Sequence, residues 1–193
     1  MNAFRYYLAL LLTVCLPPLL LYWLILHPFV RFWRRLGPRL SLGIVWTTVG
    51  LGAAGMYALH VTLLAVDYGT NWVLFAGGVV CLAVAGWLRR KLQQHLSVRT
   101  LLGLPELAPE RYRQPLVTEG LYVQVRHPRY LQLLLALLGW SLLANHLAAY
   151  LASALWIPGV WVIVRLEEQE LREQYGRNYG EYCRRVPRFI PRK

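Results

Sequence analysis

Arg126-His-Pro-Arg-Tyr130 opens a run of 35 residues, 130–164, without an Asp, Glu, Lys or Arg, and Arg165-Leu-Glu-Glu-Gln-Glu170 closes it. Two full crossings of a hydrocarbon core need roughly 40 apolar residues. A membrane hairpin with one short arm fits the run better than a single helix. Asn145-His146 lies near its middle and is the natural turn. Pro128 suits the first turn of a helix, where its missing N–H costs nothing. The first arm then runs over Pro128–Ala144, about 25 Å at 1.5 Å per residue. That is short, so its Arg126-His127 end is expected near the headgroup level or slightly below. The second arm starts at about Ala148, carries Pro158 and runs past Val164 into polar sequence. The hairpin brings Arg126 and His127 beside Glu167 and Glu168, and the chain before Leu116 is their scaffold.

Outward from this hairpin the pattern is consistent. Hydrophobic residues make up 57% of the 193, above the usual soluble share. They fall into three further runs, residues 6–26, 40–66 and 72–88, each long enough for a span. The first is a retained span, since no small-residue cleavage site follows it. It contains Pro17-Pro18, which should kink it. The second contains Gly50, Gly52, Ala53, Ala54 and Gly55, a density that suggests close approach between membrane helices. His60 in that run is expected to hydrogen-bond across helices. The fold class is therefore an all-α integral membrane protein of about five transmembrane helices, with a C-terminal helical hairpin and a cytoplasmic cofactor pocket. Residues 1–93 form a three-span scaffold and residues 94–193 the cofactor-binding and catalytic half. No internal repeat is evident.

Net charge is +12, which in a soluble protein suggests nucleic acid. Here the basic residues lie between apolar runs, so orientation in a membrane accounts for them and no nucleic-acid partner is expected. Twenty of the 21 basic residues fall in segments 31–39, 89–129 and 165–193, all on one side of a five-span arrangement. By the positive-inside rule the N-terminus is outside and the C-terminus cytoplasmic, in a bacterial inner membrane or its equivalent. Cys15, Cys81 and Cys183 are odd in number and far apart, so neither a disulfide framework nor a metal site is expected. Residues 92–129 form a polar segment too broken by Pro105, Pro109 and Pro115 for a long helix, and too long for an idle connection.

Each candidate residue has two readings. Glu168 and Glu173 stand four residues before Arg172 and Arg177, the spacing of ordinary helix-surface pairs worth about 0.2–0.5 kcal/mol. Alternatively Glu168 serves the site. Glu167 has no such local cation and shares a face with Val160 and Ile163, so it must find a partner elsewhere: Arg126, a ligand ammonium or a sulfonium. Arg126 reads either as a snorkelling stop residue or as a site residue. Tyr112, Tyr122, Tyr130, Tyr175, Tyr179 and Tyr182 crowd the two polar segments, as an interface belt or as a surface for a planar ligand such as a nucleoside.

Taken in order, Leu116-Val-Thr-x-Gly-x-Tyr122, Arg126-His-Pro-x-Tyr130, Glu167-Glu-x-x-Leu171, Tyr175-Gly176, Tyr179, Tyr182 and Val186-Pro-Arg-Phe-Ile-Pro191 resemble the isoprenylcysteine carboxyl methyltransferase family. That superfamily of integral membrane enzymes also includes phospholipid methyltransferases. The resemblance covers about residues 114–193, and the first three spans carry none of its motifs. It implies S-adenosylmethionine as methyl donor, lined by Gln114, Pro115, Leu116, Val117, Tyr122, His127, Pro128, Arg129 and Tyr130, with Glu167 on the donor's amino group. It implies Arg126 and Glu168 at the reaction centre, no metal, and a lipophilic or lipidated acceptor among membrane lipids. Arg129 and Gln132 depart from the family pattern, which has a small or apolar residue and often a glycine there, and that bears on the acceptor. Prenyl-cysteine carboxylate, phospholipid amine and small thiol all stay open. So do two other functions: an NADPH-dependent membrane reductase, whose sterol-reducing members resemble this hairpin arrangement, and a non-enzymatic protein whose basic face holds anionic lipid.

Overall fold

The computed structural model describes residues 2–92 and 116–191. Gln114, Pro115 and Tyr112 lie outside them. The described residues are almost wholly helical. The helices are α1 (Asn2–Leu26), α2 (Val30–Leu36), α3 (Pro38–Ala58), α4 (His60–Leu63) and α5 (Trp72–Leu92). A 3-10 turn (Gly120–Val123) precedes α6 (Pro128–Ala144), α7 (Leu147–Ala154), α8 (Trp156–Tyr175) and α9 (Arg177–Arg185). Four stretches are long and apolar enough to cross a membrane: α1, α3, α5 and the α7–α8 stretch Leu147–Tyr175. The shorter apolar α6 accompanies them. This is the expected all-α membrane architecture.

The hairpin forms where its chemistry places it. Pro128 is at the first position of α6, and Asn145 ends that helix in the left-handed conformation at φ 51°, its N–H donating to Ser141 O. Asn tolerates that conformation better than most non-glycine residues. The returning arm is broken at Leu155. Pro158 in the first turn of α8 cannot donate to the carbonyl of Ala154, so the ladder has to restart there. Gly176, at φ 53°, then turns the chain out of α8 so that α9 folds back.

The first span is the central post. It touches α3, α6, α7 and α8, whereas α5 packs chiefly on α6. Pro17 and Pro18 sit inside α1. The Trp156 indole donates to Leu16 O at 3.1 Å, just before the two prolines. Beneath the site, Leu20 of α1 packs with Tyr130 and Leu137 of α6 and with Trp156, Val160, Ile163 and Val164 of α8. Outward-facing Leu, Val, Trp and Tyr side chains on every long helix suit a lipid surroundings.

Three local expectations differ. The small residues of α3 do not mediate the close approach: a Cβ at Gly50 or Gly55 meets nothing within 4 Å, and at Gly52 only Pro18 at 3.4 Å. The tight crossing is between α5 and α6 instead, where a Cβ on Gly78 falls 2.8 Å from Gly139 O and one on Gly139 falls 3.0 Å from Gly78 O. The second span is α3 alone, and the rest of the 40–66 run is a break at Leu59 and the single turn α4. His60 bonds locally, Nδ1 to Tyr57 O at 2.6 Å at the end of α3, and stacks on the Tyr57 ring rather than on a helix distant in sequence.

At the bend of the hairpin, two loops are laced together. Tyr68 N donates to Asn145 O, Leu147 N to Val66 O and Asn145 Nδ2 to Gly69 O. The buried guanidinium of Arg5 pairs with Asp67 and reaches Asn145 O at 3.3 Å. Burial works to raise the Asp67 carboxyl, but the Gly69 N–H, Arg5 and His146 outweigh it and hold it below its usual value.

Candidate active site

The open end of the hairpin holds the chemistry. The buried stripe of α8 runs Trp156, Val160, Val164 and Glu168, at the spacing of one helical face. Glu168, not Glu167, is therefore the carboxylate that enters the core, with its side chain 3% exposed. It does not pair with Arg172 four residues on. Two guanidinium groups and an imidazole surround it. Arg188 grips both oxygens, Nη2 at 2.7 Å and Nε at 3.0 and 3.1 Å. His127 Nε2 lies at 3.2 Å and Arg126 Nη1 at 3.3 Å. Glu173 likewise pairs with Arg31 instead of Arg177, and Arg177 with Glu181.

Arg188 reaches Glu168 because the tail beyond α9 runs back across the start of α6. Arg126 N donates to Pro187 O at 2.8 Å and His127 N to Arg188 O at 3.1 Å. Those two N–H groups precede a helix whose first residue is proline, so the tail satisfies donors that no turn of helix could. Arg188 stands within the Val186–Pro191 motif, yet its role was not read from sequence. The available signal was the single Arg between Pro187 and Pro191. The Glu168 carboxylate holds its guanidinium above the usual arginine range, through hydrogen bonds first.

Arg126 is no exposed stop residue. Its side chain is 10% exposed and also donates to the Cys183 sulfur. The α9 tyrosines are packing residues rather than ligand surfaces: Tyr179 and Tyr182 are buried with Val186, against Leu116, Leu171 and Tyr175. The Tyr182 hydroxyl donates to Tyr122 O at 2.7 Å. Burial, with Tyr122 close by, pushes it up to about 12. Burial first and the charge of Glu168 second raise the Tyr179 hydroxyl as well.

Glu167 is placed differently from its neighbour. It accepts the Tyr130 hydroxyl at 2.8 Å, lies 3.9 Å from His127 Nδ1 and is 28% exposed. His127 is thus buried between two carboxylates, Nδ1 toward Glu167 and Nε2 toward Glu168. Pro128 is buried at the helix start, while Leu116, Val117, Tyr122 and Arg129 are partly exposed around it. Burial and then the Glu167 charge raise the Tyr122 hydroxyl, against a smaller effect of Arg129. Arg129 stacks over Trp23 and Tyr130. Further along α8, Glu170 bonds His27 at 2.9 Å, and His27 stacks on Trp23. The predicted meeting of Arg126 and His127 with Glu167 and Glu168 is therefore present, and Arg188, Tyr182 and Cys183 complete it. Among the described residues no group of three His, Cys, Asp or Glu is arranged to hold a metal ion.

The sequence pattern of the phospholipid methyltransferase family matches residues 73–178. The chain is 29% identical over 150 residues to protein-S-isoprenylcysteine O-methyltransferase B of Arabidopsis thaliana, covering 70% of this chain and 73% of that one. It is 38% identical over 90 residues to methanethiol S-methyltransferase 2 of Bradyrhizobium diazoefficiens, covering 45% and 31%. It is also 36% identical over 106 residues to a delta(14)-sterol reductase of Mus musculus, covering 53% and 25%. The match thus spans only a quarter to a third of the last two proteins. No solved structure matches.

Proposed function

The chain belongs to the phospholipid methyltransferase family, and from that premise we propose that it transfers a methyl group from S-adenosylmethionine to a lipophilic or membrane-associated acceptor. One observation carries the reading: Glu167 is held by the Tyr130 hydroxyl yet left partly open, beside a second carboxylate already engaged by Arg126, His127 and Arg188. An open carboxylate with aromatic hydroxyls around it fits a ligand that carries an ammonium and a planar base. Glu167 takes the ammonium, and Leu116, Val117, Tyr122 and Tyr130 border the rest, joined by Gln114 and Pro115. When bound, S-adenosylmethionine supplies an electrophilic methyl on a sulfonium, and the protein's task is then mainly to align an acceptor with it.

Arg126, His127 and Glu168 act in this reading chiefly as positioning residues. Glu168 joins Arg126 and His127 to Arg188, and this fixes the start of α6, and with it Tyr130 and Glu167. The hairpin end they build faces the cytoplasm, where the soluble donor is found. The scaffold half, residues 1–93, supplies Trp23 and His27 to its flank.

The test is calorimetric binding of S-adenosylhomocysteine to the purified protein. Glu167→Gln should weaken it about 10-fold or more, roughly 1.4 kcal/mol. Labelled donor mixed with a total membrane extract then identifies the acceptor. A second reading, hydride transfer from NADPH, is favoured by the likeness to the sterol reductase. NADPH binding without S-adenosylhomocysteine binding would decide for it and against methyl transfer.

A further inference from the structure

Of the three arginines around the start of α6, Arg126, Arg129 and Arg188, Arg129 alone is without a carboxylate among the described residues. Arg126 is engaged by Glu168 and Cys183, and Arg188 by Glu168. Arg129 forms no ion pair among the described residues. Its guanidinium carbon lies 5.5 Å from the Tyr130 ring centroid and 5.7 Å from that of Trp23. Stacking on two rings holds the planar group in place while leaving its N–H donors at the rim open.

Its position is what gives this meaning. Tyr130 separates two opposite charges: Glu167 at its hydroxyl and Arg129 over its ring. Glu167 is on the α8 side. Arg129 leans the other way, to Trp23 of α1, which belongs with Leu133 and Leu134 to the apolar cluster beneath the site. An anion held by Arg129 therefore sits at the edge of apolar helix surface, where an acyl or prenyl chain can follow α1 and α6.

We propose that Arg129, stacked on Trp23, is the subsite for an anionic headgroup of the acceptor, a carboxylate or phosphate on an amphiphile. A guanidinium fork matches either group bidentately, and at a membrane boundary the pairing is less screened than in water. The subsite rests on the methyl-transfer reading above. It moves Arg129 from the donor's lining, where the resemblance puts it, to the acceptor, while the guanidinium of Arg126 is committed to Glu168.

The full chain, purified in a nonionic detergent, is titrated with decanoate, dioctanoyl-phosphatidylglycerol and dioctanoyl-phosphatidylcholine, following thermal unfolding and tryptophan fluorescence. Wild type should favour at least one anionic amphiphile over the choline lipid by about 10-fold or more. Which of the two it favours distinguishes carboxylate from phosphate. Arg129→Gln should abolish the preference and Arg129→Lys retain part of it, because lysine keeps the charge but loses the fork. No preference in wild type, or one that survives Arg129→Gln, makes Arg129 a snorkelling residue and overturns the subsite. A loss of S-adenosylhomocysteine binding of about 10-fold in Arg129→Gln overturns it too, assigning the guanidinium to the donor's carboxylate. Failure of wild type to bind S-adenosylhomocysteine removes the methyl-transfer reading itself, and is told apart because it appears before any substitution is made.

Discussion

Glu168→Gln removes one negative charge from between two guanidinium groups and an imidazole and changes almost no volume. Glu168 is 3% exposed and Arg126 10% exposed, so this pair is buried on both sides. The Nε of Arg126 has no hydrogen-bond partner among the described residues, which makes its guanidinium still more dependent on Glu168. Taking one partner from a buried pair costs about 3–5 kcal/mol, mostly from the charge left behind. Arg188→Met is the instructive comparison. Arg188 is 37% exposed, and without it Glu168 keeps Arg126 and His127. The loss is then its charged hydrogen bonds, about 1.5–3 kcal/mol before screening. Glu168→Gln should therefore destabilise more than Arg188→Met, although Arg188 makes the shortest contacts. Adding Arg126→Met to Glu168→Gln should recover part of the loss, since the orphaned cation goes with it. The assay is reversible unfolding in mixed micelles by denaturing-detergent titration, followed by near-ultraviolet circular dichroism. A Glu168→Gln protein within about 1 kcal/mol of wild type, or one less affected than Arg188→Met, would refute the reasoning from burial.

Gly78→Ala should force α5 and α6 apart, because the added methyl lies 2.8 Å from backbone oxygen that no rotamer can move; a loss of about 1–3 kcal/mol is expected in the same titration. Stability should also fall at alkaline pH through Tyr182. Its hydroxyl is raised to about 12 when folded against about 10 unfolded, so its contribution is whole below pH 10 and is lost as pH rises through 12. Tyr182→Phe should flatten that part of the profile, and an unchanged slope would remove Tyr182 as its source. Reporter fusions after Leu143 and after Lys193 should report opposite sides of the membrane, with Lys193 cytoplasmic; matching signals would contradict the hairpin orientation.

What sequence reveals and what it hides divide here along one physical line. The limits of α6 are legible because proline and asparagine act on their own backbone, at the start and at the left-handed end of one helix. The pairing of Glu168 is not, because the helical rule of i,i+4 neighbours knows only partners on the same helix. Arg188 arrives from 20 residues away through an irregular tail. Periodicity does contain half the answer: Glu168 continues the Val160–Val164 stripe, a sign that it faces inward. Likewise the glycines of α3 outnumber their neighbours, yet the intimate crossing belongs to Gly78 and Gly139, one on each of two helices. A close approach is a property of a pair, and a single chain read in order does not say which helices meet. Arg129 is the opposite case, a departure from the family pattern visible at once, whose meaning depends on finding Trp23 beneath it.

The lacing of Asp67 and Asn145 at the bend makes α6 a lever with a fixed fulcrum. Its 17 residues give an arm of about 25 Å, so a tilt of about 5° at the bend swings the Pro128 end by roughly 2 Å. The hydrogen bonds from Arg126 N and His127 N to the tail, 2.8 and 3.1 Å long, would not survive that swing. Since a misplacement of about 1 Å can slow a reaction about 100-fold, stiffness at the fulcrum governs alignment at the far tip. Substitutions at Arg5 or Asp67, a whole helix length from any reacting atom, would then act as detuning screws, altering turnover while every residue at the tip is unchanged.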